Sequence, residues 1–143
     1  MDILLELYNQ LDAKVDEMDA QIKECISGID PPCFSLPGIG ELSAAVILSE
    51  FGDFNKFDNP SKMLSFAGLE PGYFQSGQSE FTVHMVKHGS SQLRYALMNC
   101  CLPLVTNEPV VAEYYAKNRA EGKPRRVAMT HVAKKLLRVI YTL

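Results

Sequence analysis

The sequence predicts a mainly α, compact helical protein, and three observations support this prediction. Apolar residues recur at helical spacing over the first 27 residues, and glycines and prolines divide most of the remaining chain into segments of helical length. Only the segment near residues 70–88 is irregular, with room for a loop or a short β segment. Hydrophobic side chains make up 47% of the 143 residues, which is enough to bury a core.

Residues 1–30 predict a helical arm that resembles a coiled coil. Its apolar residues alternate in steps of four and three: Leu4, Tyr8, Leu11, Val15, Met18, Ile22 and Cys25. Gly28 and Pro31-Pro32 end this helix because proline cannot continue it. The seam either drives self-association or docks on the chain's own core. Residues 31–143 form the second predicted domain.

The next feature is a glycine turn followed by an apolar helix, expected over residues 41–51. Leu36-Pro37-Gly38-Ile39-Gly40 is typical of the second half of a helix-hairpin-helix, which holds a nucleic-acid backbone without reading bases. Gly38, Ile39 and Gly40 are therefore candidate phosphate-binding residues. The alternative is a plain corner between helices in which the glycines serve packing.

Four further helices follow from caps and breakers. Asn59 and Pro60 start a short helix that Gly68 ends, and Ser90 or Ser91 caps a longer apolar helix. The four helices are expected over residues 61–67, 92–105, 109–120 and 125–141. Between the first two of these, Phe81-Thr82-Val83 is predicted to form a short strand or hairpin.

The net charge of −3 conceals a polarised distribution. Residues 1–30 are strongly acidic, whereas the chain after Lys117 is basic. Cations in that basic part include Lys123, Arg125, Arg126, Lys134, Lys135 and Arg138. A basic face of this kind can bind the phosphate backbone of a nucleic acid. The alternative is an ordinary helix face exposed to solvent.

Composition also restricts the compartment. The sequence has no apolar run long enough for a membrane span and no basic start typical of a signal peptide, so we expect a cytoplasmic protein with no membrane partner. The four cysteines lack metal-binding spacing and are expected to be reduced, buried thiols. His84 and His88 have no third ligand nearby in the sequence, and we expect no metal site.

The irregular segment contains a candidate nucleophile. Ser76 precedes Gly77, and the cationic residues Lys87 and Arg94 follow downstream, where they can hold a phosphate. The alternative is a loop serine that only bonds its own backbone.

Several ordered blocks of the sequence together resemble the C-terminal transposase domain of the insertion-sequence 110/116/902 family, over roughly residues 33–143. The blocks are Leu36-Pro37-Gly38-Ile39-Gly40, Phe51-Gly52-Asp53-Phe54, Phe66-Ala67-Gly68-Leu69-Glu70-Pro71, Gln75-Ser76-Gly77, His84 to Ser90 with Leu93-Arg94, Gly122-Lys123-Pro124, and Ala133 to Arg138. The arm resembles the helical connector of this family, which is often a coiled coil. His88 departs from the pattern, since relatives frequently carry arginine or lysine there.

This resemblance implies DNA recombination guided by a structured bridge RNA, with Ser76 as the nucleophile that attacks a DNA phosphodiester. It also implies an N-terminal ribonuclease-H-like domain with magnesium-binding acidic residues, to which nothing in this chain corresponds. We therefore expect no cofactor in this chain, magnesium in the other domain, no cleavage by this chain alone, DNA as a partner and a homo-oligomer through the arm. The alternatives are a non-catalytic helix-hairpin-helix module that only binds nucleic acid, or a structural dimerisation domain.

Overall fold

The computed structural model describes residues 2–29, 32–70, 75–76, 79–80 and 89–143. Six α-helices lie in these ranges: α1 (Asp2–Ser27), α2 (Glu41–Phe51), α3 (Pro60–Phe66), α4 (Ser91–Asn107), α5 (Pro109–Ala120) and α6 (Arg125–Thr142). Two short 3₁₀ helices cover Pro32–Ser35 and Phe54–Lys56, and two strands, β1 (Gln75–Ser76) and β2 (Ser79–Glu80), form an antiparallel pair. The mainly α prediction is confirmed.

The core is built around α4 and α6. Helix α4 packs against α2, α5 and α6, while α6 also packs against α3 and α5. Leu93 and Leu97 from α4 are fully buried, as are Val132 and Leu137 from α6. Both helices bury long apolar faces in the core. The burial of one face of α6 leaves its opposite, charged face exposed to solvent.

Local capping signals act as the sequence predicts. The side-chain oxygen of Asn59 accepts a hydrogen bond of 3.0 Å from the Lys62 backbone N–H at the start of α3. Ser90 Oγ accepts one of 3.1 Å from the Leu93 N–H at the start of α4. Each bond satisfies a donor that the first turn of a helix leaves unpaired.

Helix α4 extends further than the predicted 92–105 and contains Pro103 in its interior. Proline lacks the N–H that would bond the preceding turn, so an interior position is normally unfavourable. Here Pro103 packs against the turn at Gly38, where an added Cβ would lie 2.9 Å from Pro103 Cβ. The tertiary contact therefore accounts for a helix that continues past a residue that usually ends one.

Helix α1 docks on the core only at its end. Ile26 is buried and Ile22 packs against the core, next to α2. The apolar side chains from Ile3 to Met18 are at least half exposed. The chain's own core therefore covers the predicted seam only at Ile22 and leaves Leu4 to Met18 exposed.

The cysteines divide into two groups. Cys33, Cys100 and Cys101 are buried free thiols, and burial raises the pKa of Cys101 to about 12, so it stays protonated. The expectation of buried thiols is wrong for Cys25, which is exposed because it lies on α1 outside the core. Among the described residues, no helix is long and apolar enough to cross a membrane.

Candidate nucleic-acid interface

The two ends of the segment that carries Ser76 meet at one junction. The backbone N–H of Ser90 donates a 3.1 Å hydrogen bond to the carbonyl of Phe66. A Cβ added to Gly89 would lie 2.2 Å from both Gly68 N and Phe66 O, which is closer than real side chains approach. Gly68 has a φ of +64°, a conformation that favours glycine. Two glycines therefore let residues 66–68 contact residue 89 directly.

Arg94 strengthens this junction. Its Nη1 donates a 3.3 Å hydrogen bond to the Ala67 carbonyl at the end of α3, and its side chain is half-buried. The sequence predicts phosphate binding by Arg94, and in the structure its side chain makes a contact that joins the two ends of the segment. A cation at the C-terminus of a helix is also favourable for the helix dipole.

Ser76 is the last residue of β1, where it pairs with Ser79 of β2, and Gln75 pairs with Glu80. Gly77, which follows the candidate nucleophile in the sequence, lies outside the described residues. The short β segment falls inside the predicted irregular region. Phe81-Thr82-Val83 and Lys87 lie outside the described residues.

The glycine turn before α2 has two different parts. Gly38 has a φ of +93°, and an added Cβ would lie 3.0 Å from the Cys100 carbonyl oxygen of α4. Ile39 is buried at 6% exposure, whereas the N-cap Gly40 is exposed, with nothing within 4 Å of an added Cβ. Gly38 and Ile39 therefore pack against the core, and Gly40 is the part of this turn open to a ligand.

The start of α2 has an acidic neighbour. Asp19 and Lys23 of α1 line a notch together with Gly40 and Glu41, and Lys23 Nζ lies 3.5 Å from Glu41 Oε2. Carboxylates near a helix N-terminus stabilise the helix dipole but repel a phosphate. Between this turn and α1, the described residues include a 3₁₀ helix of four residues, and the helix-hairpin-helix stays a prediction.

The turn between α5 and α6 is held by Lys123. Its Nζ donates 2.7 Å hydrogen bonds to Asn118 Oδ1 and Glu121 Oε2, and Asn118 is buried at 3% exposure. The hydrogen bond from Lys123 and its positive charge lower the pKa of the Glu121 carboxyl group. Arg125 and Arg126 follow at the exposed start of α6. Lys123 therefore orders the turn as well as supplying a positive charge.

Three more of the predicted cations, Lys134, Lys135 and Arg138, lie further along α6. Lys134 is half-buried, and this burial is the main cause of its lowered pKa. The positive charge of Arg138 lowers the pKa further, whereas the negative charge of Glu70 raises it. Arg138 is exposed one turn further along the helix. Lys135 Nζ lies 4.7 Å from the centre of the Tyr114 ring of α5, a cation–π contact.

His131 is a member of this group that sequence analysis missed. Burial lowers its pKa first, and the charges of Lys123 and Lys134 lower it further, while Glu121 opposes them. His131, Lys134 and Arg138 are three and four residues apart, a spacing that places them on one side of a helix and provides the signal that could have found the histidine. We call Lys123, His131, Lys134 and Arg138 the cationic patch.

The described residues offer no metal site. Within them, no three His, Cys, Asp or Glu side chains come together in a way that could hold a metal ion. The family resemblance implies magnesium in a separate N-terminal domain, so the described residues of this chain do not test that expectation.

Comparison with known proteins matches the model of the Transposase IS116/IS110/IS902 family to residues 33–116. The 43.6 kDa protein of insertion element IS110 from Streptomyces coelicolor is 30% identical over 128 residues, which cover 88% of this chain and 32% of that relative. The IS1111A transposase of Coxiella burnetii is 28% identical over 76% of this chain and 31% of its own length.

The pilin gene-inverting protein of Moraxella bovis is 28% identical over 75% of this chain and 34% of its own length. The chain spans about a third of the length of these relatives. The matched family region includes the Gly38 turn, Ser76 and Arg94. The ordered blocks, the helical fold and the family match agree, and the chain belongs to the IS116/IS110/IS902 family of transposases.

Proposed function

We propose that this chain is the DNA-contacting part of a transposase and that it supplies a serine nucleophile for strand exchange. The observation that carries the proposal is the position of the cationic patch relative to the Ser76 segment. Glu70, at the start of that segment, lies close enough to Lys134 to act on its pKa. A DNA backbone bound along α6 therefore runs beside the base of the segment that carries Ser76.

The proposed chemistry is transfer of a phosphodiester bond. Ser76 Oγ attacks the phosphorus atom of a DNA phosphodiester and loses its proton to a base, and the bond from phosphorus to one deoxyribose oxygen breaks. That oxygen takes up a proton from a general acid and leaves as a hydroxyl group, and the phosphate stays esterified to Ser76. Attack by another strand's hydroxyl reverses the step, so the energy of the bond is kept for joining.

Other parts of the reaction lie outside the described residues. We propose that a ribonuclease-H-like domain of the whole protein holds the magnesium, and that a bridge RNA pairs the DNA sequences. Because the family resemblance implies that the metal-binding carboxylates belong to that other domain, we expect no strand cleavage by this chain alone.

The first prediction tests DNA binding by the cationic patch. Replacing Lys134 and Arg138 together with alanine is expected to weaken binding to duplex DNA. Each phosphate contact releases counterions and contributes about 0.9 to the slope of log affinity against log salt, so the slope should fall by about 2. Binding is measured by fluorescence anisotropy on a labelled duplex over a series of salt concentrations.

Lys14 and Lys23 of α1 provide the matched control, because their replacement with alanine removes the same charge from the acidic arm. This variant should keep the slope of the parent protein within about 0.5. Equal slopes in the parent protein and in the Lys134 and Arg138 variant would mean that the outer face of α6 is only solvated.

The second prediction concerns pH. The lowered pKa leaves His131 neutral at pH 7, and a nearby phosphate favours its protonated form. DNA affinity should therefore rise as pH falls from 7.5 to about 5.5, and His131→Gln should reduce this rise by about fivefold, as expected of one exposed ion pair. Affinities of both proteins are compared at constant ionic strength.

Protonation has the opposite effect on folding. Since the native pKa of His131 lies below its unfolded value of about 6.5, stability decreases as pH falls through that value. Circular dichroism at each pH therefore accompanies the binding measurement. An identical pH dependence in the parent protein and in His131→Gln would remove His131 from the DNA-binding surface.

We also propose that the protein forms a homo-oligomer through α1. The support is the row of apolar side chains that the chain's own core leaves uncovered, with Leu4, Leu11 and Met18 between 59% and 74% exposed. A continuous apolar stripe of this length is unfavourable in water unless a partner covers it.

A further inference from the structure

We infer that a phosphate of the bound DNA displaces the Glu121 carboxylate from Lys123, and that buried Asn118 holds the Lys123 ammonium in place for this exchange. Asn118 is then a positioning residue, and Glu121 is a competitor of the DNA that belongs to the protein itself. The inference rests on the DNA binding proposed above and adds how one cation of the cationic patch is presented to the ligand.

The Lys123 ammonium has two partners of different kinds. Its Nζ donates a 2.7 Å hydrogen bond to Oδ1 of Asn118, which is buried at 3% exposure. It donates another of 2.7 Å to Oε2 of Glu121, which is exposed. A lysine ammonium carries three N–H donors, and contacts within the described residues use two of them. One partner is therefore fixed in the core, and the other stands in water.

Asn118 is held from both sides of the turn. Its Nδ2 donates a 2.8 Å hydrogen bond to the Tyr114 carbonyl one turn earlier in α5, which fixes the orientation of the amide. The Lys123 backbone N–H donates a 3.3 Å hydrogen bond to the Asn118 carbonyl, and Arg119 Nη1 donates one of 2.7 Å to the Lys123 carbonyl. A buried acceptor is unfavourable without a donor, so Asn118 keeps the ammonium in the free protein and in the complex.

The contact with Glu121 is the exchangeable one. The side chain of Glu121 is 47% exposed and that of Lys123 is 32% exposed. An exposed ion pair is weak because water screens both charges. A DNA phosphate offers the same kind of anionic oxygen, and the rest of its strand is attracted by the other cations of the patch. The phosphate can therefore replace the carboxylate, but it has to compete with it.

The ion pair lies among the other members of the cationic patch. After burial, which is the largest cause, the positive charges of Lys123 and Lys134 lower the pKa of His131, whereas the negative charge of Glu121 raises it. All three charged groups are therefore close to one histidine on α6. A phosphate held by Lys134 comes near both members of the ion pair, where Glu121 repels it and Lys123 attracts it.

Glu121→Gln tests the competition, because it removes the charge and keeps the shape of the side chain. The Kd for a labelled duplex, measured by fluorescence anisotropy at fixed salt, should fall by about fivefold, as expected of one exposed ion pair. Glu113→Gln is the matched control, since Glu113 is an exposed carboxylate about two turns earlier in α5. The control should change the Kd by less than about twofold. Equal gains in both variants would mean a general charge effect and no competition.

Lys123→Met distinguishes competition for the ammonium from direct repulsion of the DNA. Methionine keeps an unbranched stem and removes the charge, so the slope of log affinity against log salt should fall by about 0.9. In this background Glu121→Gln should no longer improve affinity, because nothing remains for the carboxylate to occupy. A fivefold gain that persists without the ammonium would contradict the inference.

Asn118→Ala tests the positioning role. It removes the buried acceptor and should weaken DNA binding by about fivefold in the parent protein. In the Lys123→Met background it should have no further effect on affinity, whereas a residue that only supports the fold would lower affinity in both backgrounds. Asn118→Leu, which leaves a smaller void, is measured beside it, and circular dichroism checks that each variant is folded. Equal losses in the two backgrounds would remove the positioning role.

The same measurements separate this inference from the DNA binding on which it rests. If the slope falls in the Lys134 and Arg138 variant but is unchanged in Lys123→Met, the patch binds DNA and the inference is wrong. A parent protein that shows no salt-dependent binding to the duplex would overturn both.

Discussion

Replacing Ser76 with alanine in the whole transposase, assembled with its RNA, is expected to abolish the covalent protein–DNA product. Without the hydroxyl group there is no atom to form the ester with phosphorus, and loss of a serine nucleophile lowers rates by up to about 10⁶-fold. DNA binding should be nearly unchanged, because the cationic patch and the junction at Gly89 do not include Ser76. The product is measured as labelled DNA that stays with the protein under denaturing conditions.

Ser79→Ala is the matched control. Ser79 pairs with Ser76 across the hairpin, so the same substitution is made on the neighbouring strand. This variant should retain most of the covalent product. If covalent product persists in Ser76→Ala, or is lost equally in both variants, Ser76 is not the nucleophile, and a module that only binds nucleic acid becomes the better account.

Gly89→Ala is expected to be the most destabilising single-methyl substitution at the junction. The added Cβ would meet Gly68 N and Phe66 O at 2.2 Å, and both are backbone atoms that cannot rotate away. Residues 66–68 and 89–90 would have to separate, with loss of the hydrogen bond from Ser90 to Phe66. We expect a loss of about 3 kcal/mol in the free energy of unfolding, measured by urea denaturation.

Gly40→Ala provides the comparison, since it adds the same methyl group where nothing lies within 4 Å. Its cost should stay below about 1 kcal/mol, the usual penalty for alanine at a helix N-cap. Equal costs for the two variants would show that the contact between Gly68 and Gly89 does not hold the native state together. Ser76→Ala, measured in the same way, separates this effect on stability from an effect on chemistry.

Most helix boundaries could be predicted because their signals are local. The ends of α2 and α5 match the predicted residues, and the Asn59 and Ser90 caps form the expected hydrogen bonds. Glycine, proline and capping side chains act within a few residues of themselves, so the chain sequence contains all the information needed.

The sequence alone leaves phosphate binding and packing open for the glycine turn before α2. In the structure Gly38 and Ile39 pack against the core and Gly40 is exposed. The contact of Gly38 with Pro103 joins residues that are far apart in the sequence, and no local sequence pattern predicts such a contact.

The environments of the Arg94 and His131 side chains also depend on contacts that local sequence does not predict. Arg94 was recognisable as a cation, but its bond to the Ala67 carbonyl depends on how α3 meets α4. His131 received no role because its charged neighbour Lys123 precedes α6 and is brought beside it only by the turn that follows α5. The electrostatic environment of both residues depends on the packing of helices, not on neighbours in sequence.

The sequence by itself determined the mainly α class, the helical arm and the ordered blocks of the transposase family. Apolar periodicity, capping residues and the order of motifs are features of the sequence that can be recognised without knowing any tertiary contact. Only the tertiary structure decided that residues 4–18 of the arm stay uncovered, that Gly68 and Gly89 meet, and that α3, which precedes the Ser76 segment, packs against α6. The physical reason is that burial and close approach depend on contacts between distant residues, whose formation requires the whole core to pack at once.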